Sequence, residues 1–112
     1  LKPSFKKHMD LLPGPYTLIL KMKKICAAKN VSYSQNLGIR IPKHPLTKII
    51  QKSGRPFVTT SCNISGKPTI RAINGLPKPI EGEVDYIIDG GMLDNPASKI
   101  LDLTGNRVKN VR

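Results

Sequence analysis

Proline and glycine cut this chain into short apolar segments, and the order of those segments constrains its fold more than any other feature. Pro13-Gly14-Pro15 closes a stretch over residues 1–12 in which Phe5, Met9 and Leu12 recur at helical spacing. Proline stops such a helix because it lacks the donor that would continue it and disfavours helix in the residue before it. Tyr16-Thr17-Leu18-Ile19-Leu20 then predicts a buried strand, followed by a basic loop over 21–24, and residues 25–35 carry no decisive pattern. Leu37-Gly38-Ile39-Arg40-Ile41 predicts a second strand, ended by Pro42. Pro45 suits the first position of a helix to Ser53, with Leu46, Ile49 and Ile50 as its apolar stripe and Gly54 as its left-handed cap. His44 stands where it caps or orients that helix. Residues 57–60 predict a third strand, 69–76 a short helix, 84–89 a strand ending in Gly90-Gly91, and 98–103 and 107–111 two more strands. Strands and helices interleave, which makes the class α/β. The chain opens inside a helix and stops on a strand, so it reads as part of one domain.

Length supports that reading, because 112 residues hold one domain at most, domains commonly running about 100–150 residues. The longest apolar runs, 17–20 and 86–88, fall far short of the roughly 20 residues that cross a bilayer as a helix. A transmembrane protein, a collagen and a disulfide scaffold are excluded. Cys26 and Cys62 lack the close second Cys or His that zinc requires. With no secretory signal in view, two reduced intracellular thiols and a cytoplasmic setting are expected, Cys62 as a small buried residue. Only His8 and His44 are available as a base for a cysteine nucleophile.

Charge is unevenly placed. Residues 1–80 carry 15 Lys or Arg and one acid, while 81–112 carry four basic and six acidic residues, a net +14 against −2. A field this positive favours polyanions: nucleic acid, nucleotide phosphates or an anionic surface. It equally keeps a small protein soluble.

The stretch richest in chemistry is Ser61-Cys62-Asn63-Ile64-Ser65-Gly66-Lys67-Pro68-Thr69, directly after the third predicted strand. In open α/β sheets, ligands bind outside the carboxyl ends of strands, and hydroxyls with free backbone N–H groups accept phosphate there. Ser, Asn and Gly also favour turns for local reasons, and both readings stand. Arg40 lies in the second predicted strand and faces away from Ile39 and Ile41, where it suits bidentate binding of a carboxylate or phosphate. No paired carboxylates, Ser-His-Asp set, metal cluster or P-loop pattern is present in the sequence.

Five blocks in this order resemble the YrdC family of threonylcarbamoyl-AMP synthases. They are residues 13–20, Gly38-Ile39-Arg40-Ile41-Pro42 with His44-Pro45, Ser61-Cys62-Asn63-Ile64-Ser65-Gly66, Asp89-Gly90-Gly91, and residues 98–105. The resemblance covers nearly all of 1–112 as the C-terminal portion of a family domain whose N-terminal strands are missing. It implies a twisted open mixed sheet with flanking helices around a basic concave cavity. The implied reaction joins L-threonine, bicarbonate and ATP into threonylcarbamoyl-AMP with release of pyrophosphate. Mg²⁺ is bound through the phosphates, and a tRNA threonylcarbamoyltransferase complex then modifies tRNA.

By resemblance, Ser61 and Asn63 match the Ser-x-Asn element near the ATP phosphates. Thr69 and Arg112 lie on the same nucleotide side, and Asn36 stands where the family carries Thr or Ser. Arg40, Thr59 and Ser98 match positions facing L-threonine, and Lys99 replaces the usual threonine after Ser98. The alternative is a non-catalytic RNA-binding relative that uses the basic surface for tRNA or double-stranded RNA. A carbamoyl-transfer branch of the same fold is a third possibility, without its flanking zinc-finger and acylphosphatase segments in this sequence.

Overall fold

The computed structural model describes residues 1–25, 27, 28, 30–32 and 34–112. Cys26 lies outside them, as do Lys29 and Tyr33 in the stretch left unassigned from sequence. The chain divides into two compact units: Leu1–Phe57 with Ala97–Arg112, and Val58–Pro96.

The first unit is built on a four-stranded sheet of order β2-β1-β3-β4. The strands are β1 (Tyr16–Lys21), β2 (Asn36–Ile39), β3 (Lys99–Asp102) and β4 (Lys109–Asn110). β1 pairs antiparallel with β2 and parallel with β3, and β3 pairs antiparallel with β4. The sheet is therefore mixed and open, and the class is α/β as expected. Alternation sends Leu18 and Leu20 to one face, with Leu101 beside Leu18 in register. That face carries the core of Phe5, Leu18 and Leu103, with Leu12, Tyr16 and Val108 packed against it. Leu18 is fully buried.

Two predicted elements of this unit differ in detail. The N-terminal helix is a 3-10 helix, Pro3–Leu11. Three residues per turn stack Phe5, His8 and Leu11 on one ridge instead of Phe5, Met9 and Leu12. His8 sits edge-on to Phe5 with ring centroids 6.1 Å apart and its Nδ1 is 3.2 Å from the Phe5 carbonyl, while Met9 is exposed. β2 ends at Ile39, so Arg40 follows the strand rather than lying within it. Its ladder stops because the Ile41 carbonyl accepts from Gly14 N–H at 2.9 Å, and Pro42 has no N–H to offer.

α1 (Pro45–Ser53) forms over the predicted residues. His44 Nδ1 accepts from Leu46 N–H at 3.1 Å, and Gly54 closes the helix at φ 66°, a left-handed conformation that only glycine adopts without strain. The predicted stripe is not buried, however: Leu46 and Ile49 are exposed.

The second unit holds no strand. Residues 57–60 and 84–89 both read as strands in sequence, yet neither pairs. Apolar and β-branched composition fits a pleated surface only where a neighbouring strand takes the backbone hydrogen bonds, and no such neighbour lies among the described residues. The predicted helix over 69–76 shrinks to one 3-10 turn, Ile73–Gly75. An unpredicted helix α2 (Lys78–Glu83) follows it. Pro79 is tolerated there because it falls in the first turn, and Lys78 Nζ donates to Glu81 Oε2 at 2.9 Å. No residue of this unit is buried.

Candidate functional site

Strand directions gather several predicted residues at one end of the sheet. β1 and β3 run parallel, so their first residues lie together, and the antiparallel β2 and β4 bring their last residues to the same end. Arg40 after β2, Thr17 in β1, Ser98 before β3 and Arg112 after β4 thus share that end, on strands about 4.8 Å apart. Thr17 and Ile19 lie on the face opposite Leu18, away from the core. There Thr17 Oγ1 and Ser98 Oγ share a hydrogen bond of 2.9 Å, and Ser98 is 8% exposed. Arg112 Nε donates to the Ser98 carbonyl at 3.2 Å, and the Arg112 carbonyl accepts from Ile100 N–H at 2.7 Å. A partly buried hydroxyl pair flanked by two strands that lead to arginine suits a small anion with its own donor or hydroxyl.

Thr17 went unnoticed as a site residue in the sequence. Its signal was a single hydroxyl inside an otherwise apolar strand, and its partner lies 81 residues away. Asn36 sits at the other end of the ladder, in register with Lys21, so the sheet does not bring it to Arg112. Its backbone is held locally: Asn36 N–H donates to Ser34 Oγ at 3.1 Å, and Ser32 Oγ donates to the Asn36 carbonyl at 2.6 Å.

Thr59, Ser61, Asn63 and Thr69 belong to the second unit. Thr59, Ser61 and Thr69 are exposed, and Asn63 is half-buried. Asn63 organises the loop: its Nδ2 donates to the carbonyls of Ile64 at 3.0 Å and Lys67 at 2.9 Å. Lys67 N–H donates back to the Ile64 carbonyl at 2.9 Å, and Ile70 N–H to the Cys62 carbonyl at 3.2 Å. Gly66 permits the turn with φ 79°. With both amide hydrogens engaged, Asn63 Oδ1 is left buried without a protein partner, an acceptor fixed in place for an incoming donor. Cys62 is a free and exposed thiol, which corrects its expected burial: the turn spends its backbone on Ile70 and leaves the side chain outside. His44 is committed to the α1 cap.

Asp102 ends β3 beside its own turn. Hydrogen bonds from the Thr104 hydroxyl at 2.6 Å and the Thr104 N–H at 2.8 Å hold its pKa below the usual carboxylate value. Among the described residues no three His, Cys, Asp or Glu side chains cluster as a metal site. No described helix is long and apolar enough to cross a membrane.

An open mixed sheet with a hydroxyl pair and two arginines gathered at one end makes this an α/β protein with its polar side chains at the strand termini. The chain matches the model of the Sua5/yciO/yrdC family, described as telomere recombination, over residues 2–112, and it belongs to that family. It is 35% identical over 109 residues to a putative threonylcarbamoyl-AMP synthase of Methanocaldococcus jannaschii, spanning 96% of this chain and 51% of that protein. The Bacillus subtilis threonylcarbamoyl-AMP synthase is 36% identical over 70% of this chain and 23% of its own length. The crystal structure of Pyrococcus abyssi Sua5 complexed with L-threonine matches all of this chain and 34% of that one, with TM-score 0.86 and 28% identity. The chain therefore spans about half or less of the relatives' length.

Proposed function

We propose that this chain contributes to threonylcarbamoyl-AMP synthesis, joining L-threonine, bicarbonate and ATP with release of pyrophosphate. The observation that carries this reading is the Thr17–Ser98 hydroxyl pair at the sheet end shared with Arg40 and Arg112. An arginine there grips the threonine carboxylate while the hydroxyl pair meets its ammonium or hydroxyl group. Relatives named threonylcarbamoyl-AMP synthase and a related structure complexed with L-threonine support the same substrate.

In the second unit, the loop of Ser61, Asn63 and Thr69 meets the nucleotide. The oriented Asn63 Oδ1 accepts from a nucleotide or water donor. The donors of this loop are hydroxyls and an amide, which would meet phosphate oxygens, and Mg²⁺ bound through those phosphates would neutralise part of their charge. Catalysis is then chiefly positioning and electrostatic stabilisation of the departing pyrophosphate. The product passes, in a cytoplasmic setting, to a complex that modifies tRNA.

The decisive test is pyrophosphate release from ATP by the chain with and without L-threonine plus bicarbonate, and by the chain joined to the remainder of a family domain. Release that needs both small substrates and is lost in Ser98→Ala and Ser61→Ala supports the synthase. Silence in both forms removes it. A second reading, RNA binding, draws on the sheet unit's sixteen basic and two acidic residues, a net +14. It predicts a steep fall of RNA affinity with salt and no response to threonine.

A further inference from the structure

We infer that Thr17 is a positioning residue: it does not touch L-threonine but holds the Ser98 hydroxyl in the orientation that does. The ligand in this inference rests on the proposed synthesis, while the coupling of the two hydroxyls rests on the sheet alone.

The two branches of Thr17 straddle β1. Its Oγ1 lies 2.9 Å from Ser98 Oγ, on the β3 side. Its Cγ2 methyl turns to the β2 side, where a Cβ placed on Gly38 would meet it at 3.4 Å. Gly38 is the register partner of Ile19, and alternation puts Ile19 and Thr17 on one face. The absent side chain at Gly38 thus leaves the space that the methyl takes. A β-branched side chain has few χ1 states, and rotation to another one breaks the bond to Ser98.

Ser98 is held everywhere except at its hydroxyl. The peptide joining it to Lys99 is fixed at both ends: its carbonyl accepts from Arg112 Nε at 3.2 Å, and its N–H donates to the Pro15 carbonyl at 3.0 Å. The unbranched serine side chain still has three staggered states. Thr17 is the one hydrogen-bond partner of that hydroxyl among the described residues, so Thr17 selects the state. Two hydroxyls bring two protons, and one is spent between their oxygens. The remaining proton and lone pairs serve a ligand, donating to a carboxylate or accepting from an ammonium.

The test has two readouts, on the full 112-residue chain and on the chain joined to the remainder of a family domain. The first is the three-bond Hα–Hβ coupling of Ser98 without ligand, by nuclear magnetic resonance. One rotamer is expected in the unsubstituted chain and in Thr17→Ser. Averaged couplings are expected in Thr17→Val, which keeps the shape of the side chain and loses the hydroxyl. The second is L-threonine affinity by titration calorimetry. Thr17→Val and Ser98→Ala each weaken it about tenfold. The double variant also loses about tenfold, because without Ser98 the Thr17 hydroxyl has nothing to orient. Thr17→Ser keeps most of the affinity, and Lys48→Ala on α1 keeps all of it. Averaged couplings in the unsubstituted chain, or unchanged ones in Thr17→Val, overturn the proposal. So does a loss of about 100-fold in the double variant, which makes Thr17 a direct contact. Unchanged affinity in Thr17→Val beside a weakened Ser98→Ala removes the positioning role and spares the synthesis reading. Couplings as expected with no L-threonine binding by the unsubstituted chain in either form overturn the proposal through its ligand, together with that reading.

Discussion

Two apolar runs of similar composition meet different fates in this molecule. In the sheet unit, Thr17-Leu18-Ile19-Leu20 lies between β2 and β3 and buries Leu18 completely. In the second unit, Tyr86-Ile87-Ile88 has no neighbour, and Ile88 remains 80% exposed. Intrinsic preference for extended backbone is comparable in the two. What differs is whether another segment pairs with each run, which β2 and β3 do for the first and no described strand does for the second.

The largest effect that can break this comparison is in the two runs themselves. Leu18→Ala is expected to cost about 3 kcal/mol, since it removes a fully buried side chain from a core of few members. Ile88→Ala is expected to stay within about 0.5 kcal/mol, as exposed substitutions do. Urea unfolding followed by circular dichroism measures both. Equal losses mean that the second unit has a core of its own.

Ser98→Ala comes next. It removes the partner of Thr17 and leaves a hydroxyl in a partly buried place, at about 1 kcal/mol of stability. On the proposed function it also weakens L-threonine binding about tenfold, equivalent to about 1.4 kcal/mol. Titration calorimetry reads the affinity, with Lys48→Ala on the exposed face of α1 as the neutral comparison. A loss of stability with unchanged affinity makes the pair structural only.

Glycines sharpen the contrast at smaller scale. Gly54→Ala forces a side chain into a left-handed backbone at φ 66°, costing about 1 kcal/mol. Gly82 sits within α2 with open space where a Cβ would fall. Gly82→Ala is therefore expected to favour that helix by about 0.5–1 kcal/mol. Opposite signs in helix content by far-ultraviolet circular dichroism bear this out, and a matching sign contradicts it.

Local signals were legible in the sequence and distant ones were not. Pro45, His44 and Gly54 announce α1 within ten residues, and the helix forms as written. β1 likewise follows from its own composition and the proline before it. The strands expected at 57–60 and 84–89 failed because pairing is a property of two segments, and sequence shows only one of them. The site divides the same way. Family resemblance located Ser98, Arg40 and Arg112, but their common sheet end comes from strand direction, and Thr17 emerges only once β1 and β3 are in register.

The smallest effect concerns Asp102, which joins β3 to its turn. Its Oδ1 accepts from both the hydroxyl and the N–H of Thr104, and these bonds favour the ionised carboxylate, lowering its pKa from the ordinary 3.8. A carboxylate with a depressed folded-state pKa contributes stability that is fully present above its unfolded value. That contribution fades as pH falls through the lowered folded one. The sheet unit should therefore lose stability below about pH 4, and Asp102→Asn, which keeps an acceptor oxygen without the titrating charge, should flatten that part of the profile. Urea midpoints at pH 3 and pH 6 for the two proteins measure the difference. An unchanged slope in the variant would move the acid sensitivity to other carboxylates, among them the five in the second unit, and the two regions would then differ in burial but not in their response to acid.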